Sequence, residues 1–273
     1  MANNKLLGKS MFYMGIIIIV LFMIIPVYIL FRVSFAVPED VLTSSPKFLI
    51  TRFEFKHWEQ VFKSGNLWPP LYKSFIVATL TMILALIVSA PASYAISRFD
   101  RKIKYGIILT LFFTRMFPNV GIALPISVTF LKWNLLDKNI GLVLAHLIEQ
   151  LPFIAWILVS TFETIPLDLE EAASIDGAGR IRTLLKIVLP VAAPGLAVAA
   201  MFTWLNSWNE FTYALYLSLT TKTLPLQIYY YVLRGGFFQQ AAYSTILTIP
   251  VLIITFALQR YIRSDYLGGA IKG

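Results

Sequence analysis

A chain of 273 residues that is 58% hydrophobic and only 14% charged cannot clothe a water-soluble surface, which takes about 25% charged residues. Its formal net charge of +9 comes from Lys and Arg lying between apolar runs, a pattern that suits anionic headgroups and membrane topology better than nucleic acid. Cysteine is absent, which excludes a disulfide framework and thiol chemistry.

Six runs are long enough to span a hydrocarbon core, which takes roughly 20 apolar residues per helix. Residues 11–31 form the first, free of charge. It is longer than the apolar part of a secretory signal and no small-residue cleavage site follows, so a retained span is predicted. The connection 36–71 holds Phe55, Trp58 and Phe62 at helical spacing with Val61 beside them, against Lys56, Glu59, Gln60 and Lys63. That pattern predicts an amphipathic helix with its aromatic face at the interface or on a partner. Residues 74–97 make the second span, and 105–131 the third, interrupted only by Arg115. Residues 140–162 make the fourth, carrying His146 and Glu149. The fifth is 187–209, continuing past Glu210 to about Tyr216, and the sixth is 235–259. Prolines 26, 91, 118, 125, 152, 194 and 250 fall in or near these runs and are expected to kink them.

An even number of crossings puts both termini on one side. If that side is inner, segments 1–10, 98–104, 163–190 and 260–273 hold 12 Lys and Arg in 59 residues, against 10 in 70 for the outer segments. The bias favours termini inside. The expected fold is therefore an all-α integral membrane domain, 1–273, with six transmembrane helices and no separate soluble part.

Several chemistries leave no trace. There is no G-x-x-x-x-G-K-[ST] phosphate loop, no G-x-S-x-G elbow, and two distant histidines cannot make an H-E-x-x-H zinc site. Ionisable residues within the spans are too few for a proton-relay pump. No metal site or catalytic residue is predicted.

The inner loop 163–190 is the most informative stretch. Asp168, Glu170 and Glu171 follow Pro166, placing negative charge at the positive end of a short helix. Leu169, Ala172 and Ala173 give it a slim apolar stripe, Gly177-Ala178-Gly179 breaks it, and a second, basic helix starts near Arg180. Pro190 is read as the turn into the fifth span. By composition alone this is an interfacial loop as readily as a contact site. The spacing is more specific: Glu171-Ala172-Ala173, three residues, Gly177, nine residues, Ile187, one residue, Leu189-Pro190 matches the EAA signature of ABC importer permeases at every position.

On those residues the chain resembles the carbohydrate-uptake permeases, the smaller maltose-importer (MalG-like) type. Thr114 to Pro118, Leu151-Pro152-Phe153 with Trp156, Trp208 to Phe211, and the tail Gly268 to Gly273 are similar too. The resemblance implies that the EAA loop is a cytoplasmic coupling helix pair docking on an ATP-binding subunit, with Glu170, Glu171, Ala172, Ala173, Asp176, Gly177, Ile187, Leu189 and Pro190 as its surface. It implies as partners a second homologous permease, two ATP-binding subunits that hold ATP and Mg, and an extracytoplasmic sugar-binding protein met by the loop 215–242. No cofactor is expected in this chain. The setting implied is the bacterial or archaeal cell (inner) membrane, crossed several times.

Depth places Arg115 and Glu149 near mid-membrane at about 1.5 Å per residue. Unpaired charges there cost about 2.5–3.5 kcal/mol, so the two are expected to approach each other or line the path, with His146 one turn outward. Gln150, Asn206, Trp208, Asn209 and Glu210 could bond or stack on a sugar; a Trp-Asn-Glu cluster at a span end serves equally as an interfacial anchor. A polyol or sugar-phosphate permease, an ion-coupled secondary transporter and a polytopic enzyme are the alternatives. The first two would need different cargo or free intramembrane carboxylates, and the third a cluster of reactive groups.

Overall fold

The computed structural model describes residues 2–234 and 236–269; Gly235, within the sixth predicted run, and Ala270, Ile271, Lys272 and Gly273 of the similar tail lie outside them. Every element among the described residues is helical. The chain divides into two compact units. One comprises the residues up to Leu67 with Ile228–Ile249, the other Trp68–Gln227 with the chain from Pro250.

The first unit contains α1 (Ala2–Ser34), α2 (Pro38–Val41) and α3 (Lys56–Lys63). From Gly8 to Ser34, α1 is apolar on all sides and its most apolar stretch is wholly exposed, as suits a helix about 40 Å long whose solvent is lipid or another chain. Its end packs Val33 and Ala36 against Phe238 and Ala241. The amphipathic helix α3 is present. His57 and Val61 are its buried residues, His57 stacking on Phe238 at 4.6 Å, while Phe55 and Phe62 are exposed. Phe55 precedes the helix as its cap, and the aromatic rings satisfy one another instead, with Trp58 stacked on Phe35 at 5.0 Å.

The second unit is built on α4 (Trp68–Ser97), α7 (Asn139–Glu163) and α10 (Ala193–Trp208), with α5 (Arg101–Thr114) and α6 (Asn119–Lys132) between the first two. α4 buries Thr81, Ala85, Ser89, Ser93 and Ser97, one small residue every turn. α10 does the same with Gly195, Ala199, Thr203 and Ser207. Small side chains on one face let backbones close in, so packing replaces the hydrophobic drive that lipid does not supply. Contact is tightest at Gly195, where an added Cβ would lie 2.3 Å from Thr161 Cγ2 on α7. The indole of Trp204 ties α10 to α4, donating to Thr79 Oγ1 at 3.2 Å.

Two of the six apolar runs are not single helices. α5 and α6 meet at an 80° bend, and α9 (Arg180–Val191) meets α10 at 79°. Among the described residues, four helices are long and apolar enough to cross a membrane alone, and the number is up to six if each bent pair is one span. The turn into the fifth run falls at Ala192, not at Pro190, and the helix absorbs Pro190 by widening over Leu184–Val188, where the Leu189 N–H bonds to Leu184 O. A wider turn makes room for a ring that would otherwise strike the carbonyl four residues back.

Between α6 and α7, Asp137 takes a positive φ of 63° and clasps α11 (Thr212–Leu217) and the residues after it. Its carboxylate accepts from the Leu219 N–H at 2.9 Å, the Thr220 N–H at 3.2 Å and the Thr220 hydroxyl. Lys73 stands 3.8 Å away and donates to Thr221 O at 2.6 Å. Burial alone would raise the pKa of Asp137, but the Thr220 and Leu219 hydrogen bonds and the charge of Lys73 outweigh it and hold the carboxyl below its ordinary value. After α11 come α12 (Leu224–Leu233) and α13 (Phe237–Gly269).

Candidate functional site

The inner loop folds as α8 (Asp168–Ile175) followed, after Gly177, by α9. Leu167 is the cap residue of α8, so Pro166 sits just before the helix rather than in its first turn. Gly177 has φ +79°, a conformation that costs a residue with Cβ about 1–2 kcal/mol, which fixes glycine at the reversal. The three acidic residues share the first turn of α8 but not a direction. Glu170 turns inward and is met from α4: Arg98 Nε donates to its Oε1 at 2.9 Å, Arg98 Nη2 at 2.5 Å, and the Tyr94 hydroxyl to Oε2 at 2.5 Å. Arg98 Nη1 also donates to Phe162 O at 3.1 Å. A forked guanidinium on a carboxylate, with a phenol on the second oxygen, makes a strong and directional anchor. A second ion pair, Lys104 with Glu163, lies nearby.

Two residues expected on the docking surface therefore face the bundle instead: Glu170, because Arg98 requires a counter-charge, and Ala173, which is buried. Glu171, Ala172, Asp176 and Gly177 are exposed. So are Ile175 at 87% and Ile181 at 76%, two apolar side chains at the tip that sequence spacing did not single out. Ile187 and Leu189 are half-buried and Pro190 exposed, the three belonging to α9 rather than to the tip. Tyr94 and Arg98 were also missed; Arg98 had left a signal, since it belongs to the basic cluster 98–104.

Deeper in the unit, the bend between α5 and α6 falls at 115–118. Pro118 caps α6 with φ −63° and ψ 135°, an extended geometry that ends any helix entering it. Beside it is a cavity of about 320 Å³ bordered by Arg115, Glu149 and Tyr213. Arg115 Nη2 lies 3.7 Å from Glu149 Oε1 and its guanidinium 5.7 Å from the Phe153 ring centre.

The other residues expected on a path divide into two groups. His146, Gln150, Trp208 and Glu210 are packed away from this cavity. His146, 1% exposed, shares a hydrogen bond with Ser207 Oγ at 2.6 Å through Nδ1 and reaches Glu210 Oε2 at 3.1 Å through Nε2. A carboxylate only accepts, so Nε2 carries the proton. Glu210 also accepts from the Tyr213 and Ala214 N–H groups at 2.7 and 3.1 Å, capping α11. Trp208 stacks on Trp204 at 4.9 Å. Asn206 and Asn209 are exposed, and Asn209 donates to Leu205 O at 2.9 Å.

An all-helical unit with two broken spans, small-residue packing and an anchored two-helix loop carrying the Glu-Ala-Ala pattern is that of a transport protein's membrane component. The chain belongs to the family of binding-protein-dependent transport system inner membrane components, whose model matches residues 83–267. It is 34% identical over 223 residues to the sulfoquinovosyl glycerol transport system permease protein SmoH of Agrobacterium fabrum, covering 80% of this chain and 78% of that one. It is 30% identical over 278 residues to the trehalose/maltose transport system permease protein MalG of Thermococcus litoralis, covering 99% of each. Among solved structures, a chain of a bacterial ABC transporter that imports the acidic polysaccharide alginate superposes with a TM-score of 0.78 over 94% of this chain and 97% of that one, at 22% identity.

Proposed function

We propose that this chain is a permease subunit of an ATP-driven importer for sugars, acting as one membrane domain over 1–273 with both termini cytoplasmic. It forms half of the passage beside a second, homologous permease. Two separate ATPase subunits drive it through the 163–190 loop, and an extracytoplasmic binding protein delivers the cargo. No ATP site or catalytic group of its own is assigned. The observation that carries this reading is the loop itself: an exposed tip bearing Glu171, Ile175, Asp176 and Gly177, rooted in the bundle by Glu170. A knob that is apolar at its apex, acidic at its flank and rigid at its base suits a lever seated in a moving partner. Sugar cargo is supported by the relatives, which are permeases for trehalose and maltose and for a sulfoquinovosyl glycerol.

An ion-coupled carrier is less well supported. It needs intramembrane carboxylates free to load and release an ion, yet Glu149 stands beside Arg115 and Glu210 is held by His146 and two N–H groups.

Purification of the complex from its native membrane in mild detergent tests the reading. A soluble ATPase subunit is expected to co-purify with the wild type, and Glu171→Lys should reduce its recovery at least tenfold while leaving this chain's expression intact. ATP-independent uptake by purified wild-type protein would sink the proposal.

A further inference from the structure

The bend in the third span does more than end one helix and begin another. Its cavity, about 320 Å³, is lined by Thr114, Arg115, Phe117, Asn119, Glu149 and Tyr213 among others, and it falls at the lower end of small-ligand sites, roughly 300–1,000 Å³. Three features of the lining point to one kind of occupant. Arg115 and Glu149 are 3.7 Å apart, outside hydrogen-bond range, with 32% and 21% of their side chains exposed. Both therefore keep hydrogen-bonding capacity that an inserted hydroxyl could bridge, accepting from the guanidinium and donating to the carboxylate. α6, a helix of 14 residues, starts at this point; the Gly121 and Ile122 N–H groups of its first turn donate to Pro118 O, and the Asn119 side-chain amide on the cavity wall supplies a donor and an acceptor. The ring of Phe117, 58% exposed, supplies an apolar face of the size of a pyranose.

Donors, acceptors and a flat apolar surface together match a ring that carries hydroxyls at its edge and C–H groups on its face. The charges settle the class. One guanidinium and one carboxylate sum to zero, so an acidic sugar attracted by Arg115 would have to lose its water next to Glu149. We propose that this cavity is a subsite for a neutral pyranose unit, carried by this subunit itself. The proposal rests on the transport reading above and adds to it a place and a charge class for the cargo.

The absence of cysteine makes a direct test possible. Asn119→Cys introduces one thiol on the cavity wall, and the assembled transporter, with its ATPase and binding-protein partners, is placed in proteoliposomes. Uptake of maltose, trehalose and the acidic disaccharide cellobiouronic acid by the wild-type transporter, reconstituted in the same way, is measured with and without ATP. The rate at which a polar methanethiosulfonate reagent adds to this chain is then followed by mass in the presence of each sugar. A neutral disaccharide that is taken up with ATP is expected to slow the reaction at least fivefold, cellobiouronic acid less than twofold, and N119C/E149Q should lose the protection. A purely structural ion pair would change the reaction rate in that double variant without making it depend on sugar. ATP-driven uptake of a neutral sugar with no protection overturns the subsite and leaves the importer reading standing. Protection by the acidic sugar equal to that by the neutral ones overturns the charge class. No ATP-driven uptake of any of the three overturns the sugar-importer reading and the subsite with it.

Discussion

Asp137 sits where a single side chain can hold three backbone segments, and its acidity shows how. Hydrogen bonds to its charged form lower its pKa, so the clasp is at full strength above the ordinary aspartate value of 3.8 and fails as pH falls through the lower folded value. The Leu219 and Thr220 amides should therefore be equally protected from hydrogen exchange at pH 7 and pH 5. Asp137→Asn keeps the shape but loses the charge, and hydrogen bonds to charged groups contribute about 1.5–3 kcal/mol. Partial exposure reduces that figure, so exchange at the two amides is expected to quicken by about tenfold. Unchanged exchange in the variant would show that the loop is held by other contacts. His146 works by the same logic inside the bundle. Its two ring nitrogens join α7 to the end of α10 and to the cap of α11, and a sequence reading that saw one turn of spacing from Glu149 could not see that its partners lie 61 and 64 positions away.

At the level of helices, the contact of Tyr94 and Arg98 with Glu170 sets that carboxylate apart from Glu171, to which the proposed function gives the docking role. Glu170 and Glu171 are neighbours in sequence and nearly alike in chemistry, yet one is bound by Arg98 and Tyr94 while the other faces outward. The Glu-Ala-Ala pattern marks the loop but not which carboxylate does which task, because a helix turns 100° per residue and only packing fixes its rotation. Arg98→Ala and Glu170→Ala should each leave the ATPase bound and lower the amount of cargo moved per ATP hydrolysed by about tenfold. The double variant should be no worse than either single, as expected of two groups in one contact with a coupling of about 1–3 kcal/mol. Losses that multiply would mean the two act separately. The bends are the other place where elements outran the sequence. Apolarity over 105–131, broken only by Arg115, reads as one helix, and prolines did not single out the bend: Pro125, Pro152 and Pro250 lie inside helices, whereas Pro118 caps one. What differs is whether neighbours satisfy the freed backbone groups, a tertiary property.

For the molecule as a whole, composition and run length were enough to give an all-helical membrane protein with six apolar stretches, because lipid admits so few backbone solutions. The site was less legible. Spacing located the 163–190 loop and depth brought Arg115 and Glu149 to the same level, but the cavity beside them needs the bend, which Pro118 marks no more strongly than the prolines that lie inside helices. Sidedness can be read with the same cysteine-free background. Single thiols at Lys102 and at Lys138 are expected to react with a membrane-impermeant reagent from opposite sides, Lys102→Cys only from within. Labelling of both from one side would contradict an odd number of crossings between them.

The close approach of α10 to α7 at Gly195 and the turn-by-turn file of small residues on α4 have a mechanical consequence. Backbones in near contact leave no room for one rod to slide on another without collision, so these three behave as a stiff slab. Compliance then resides at the rims, in the kinked junctions at 115–118 and Ala192, where no lattice of interlocked atoms resists rotation. Force entering at the 163–190 knob through Glu170, if the proposed coupling holds, would reach the slab and be spent on pivoting those corners.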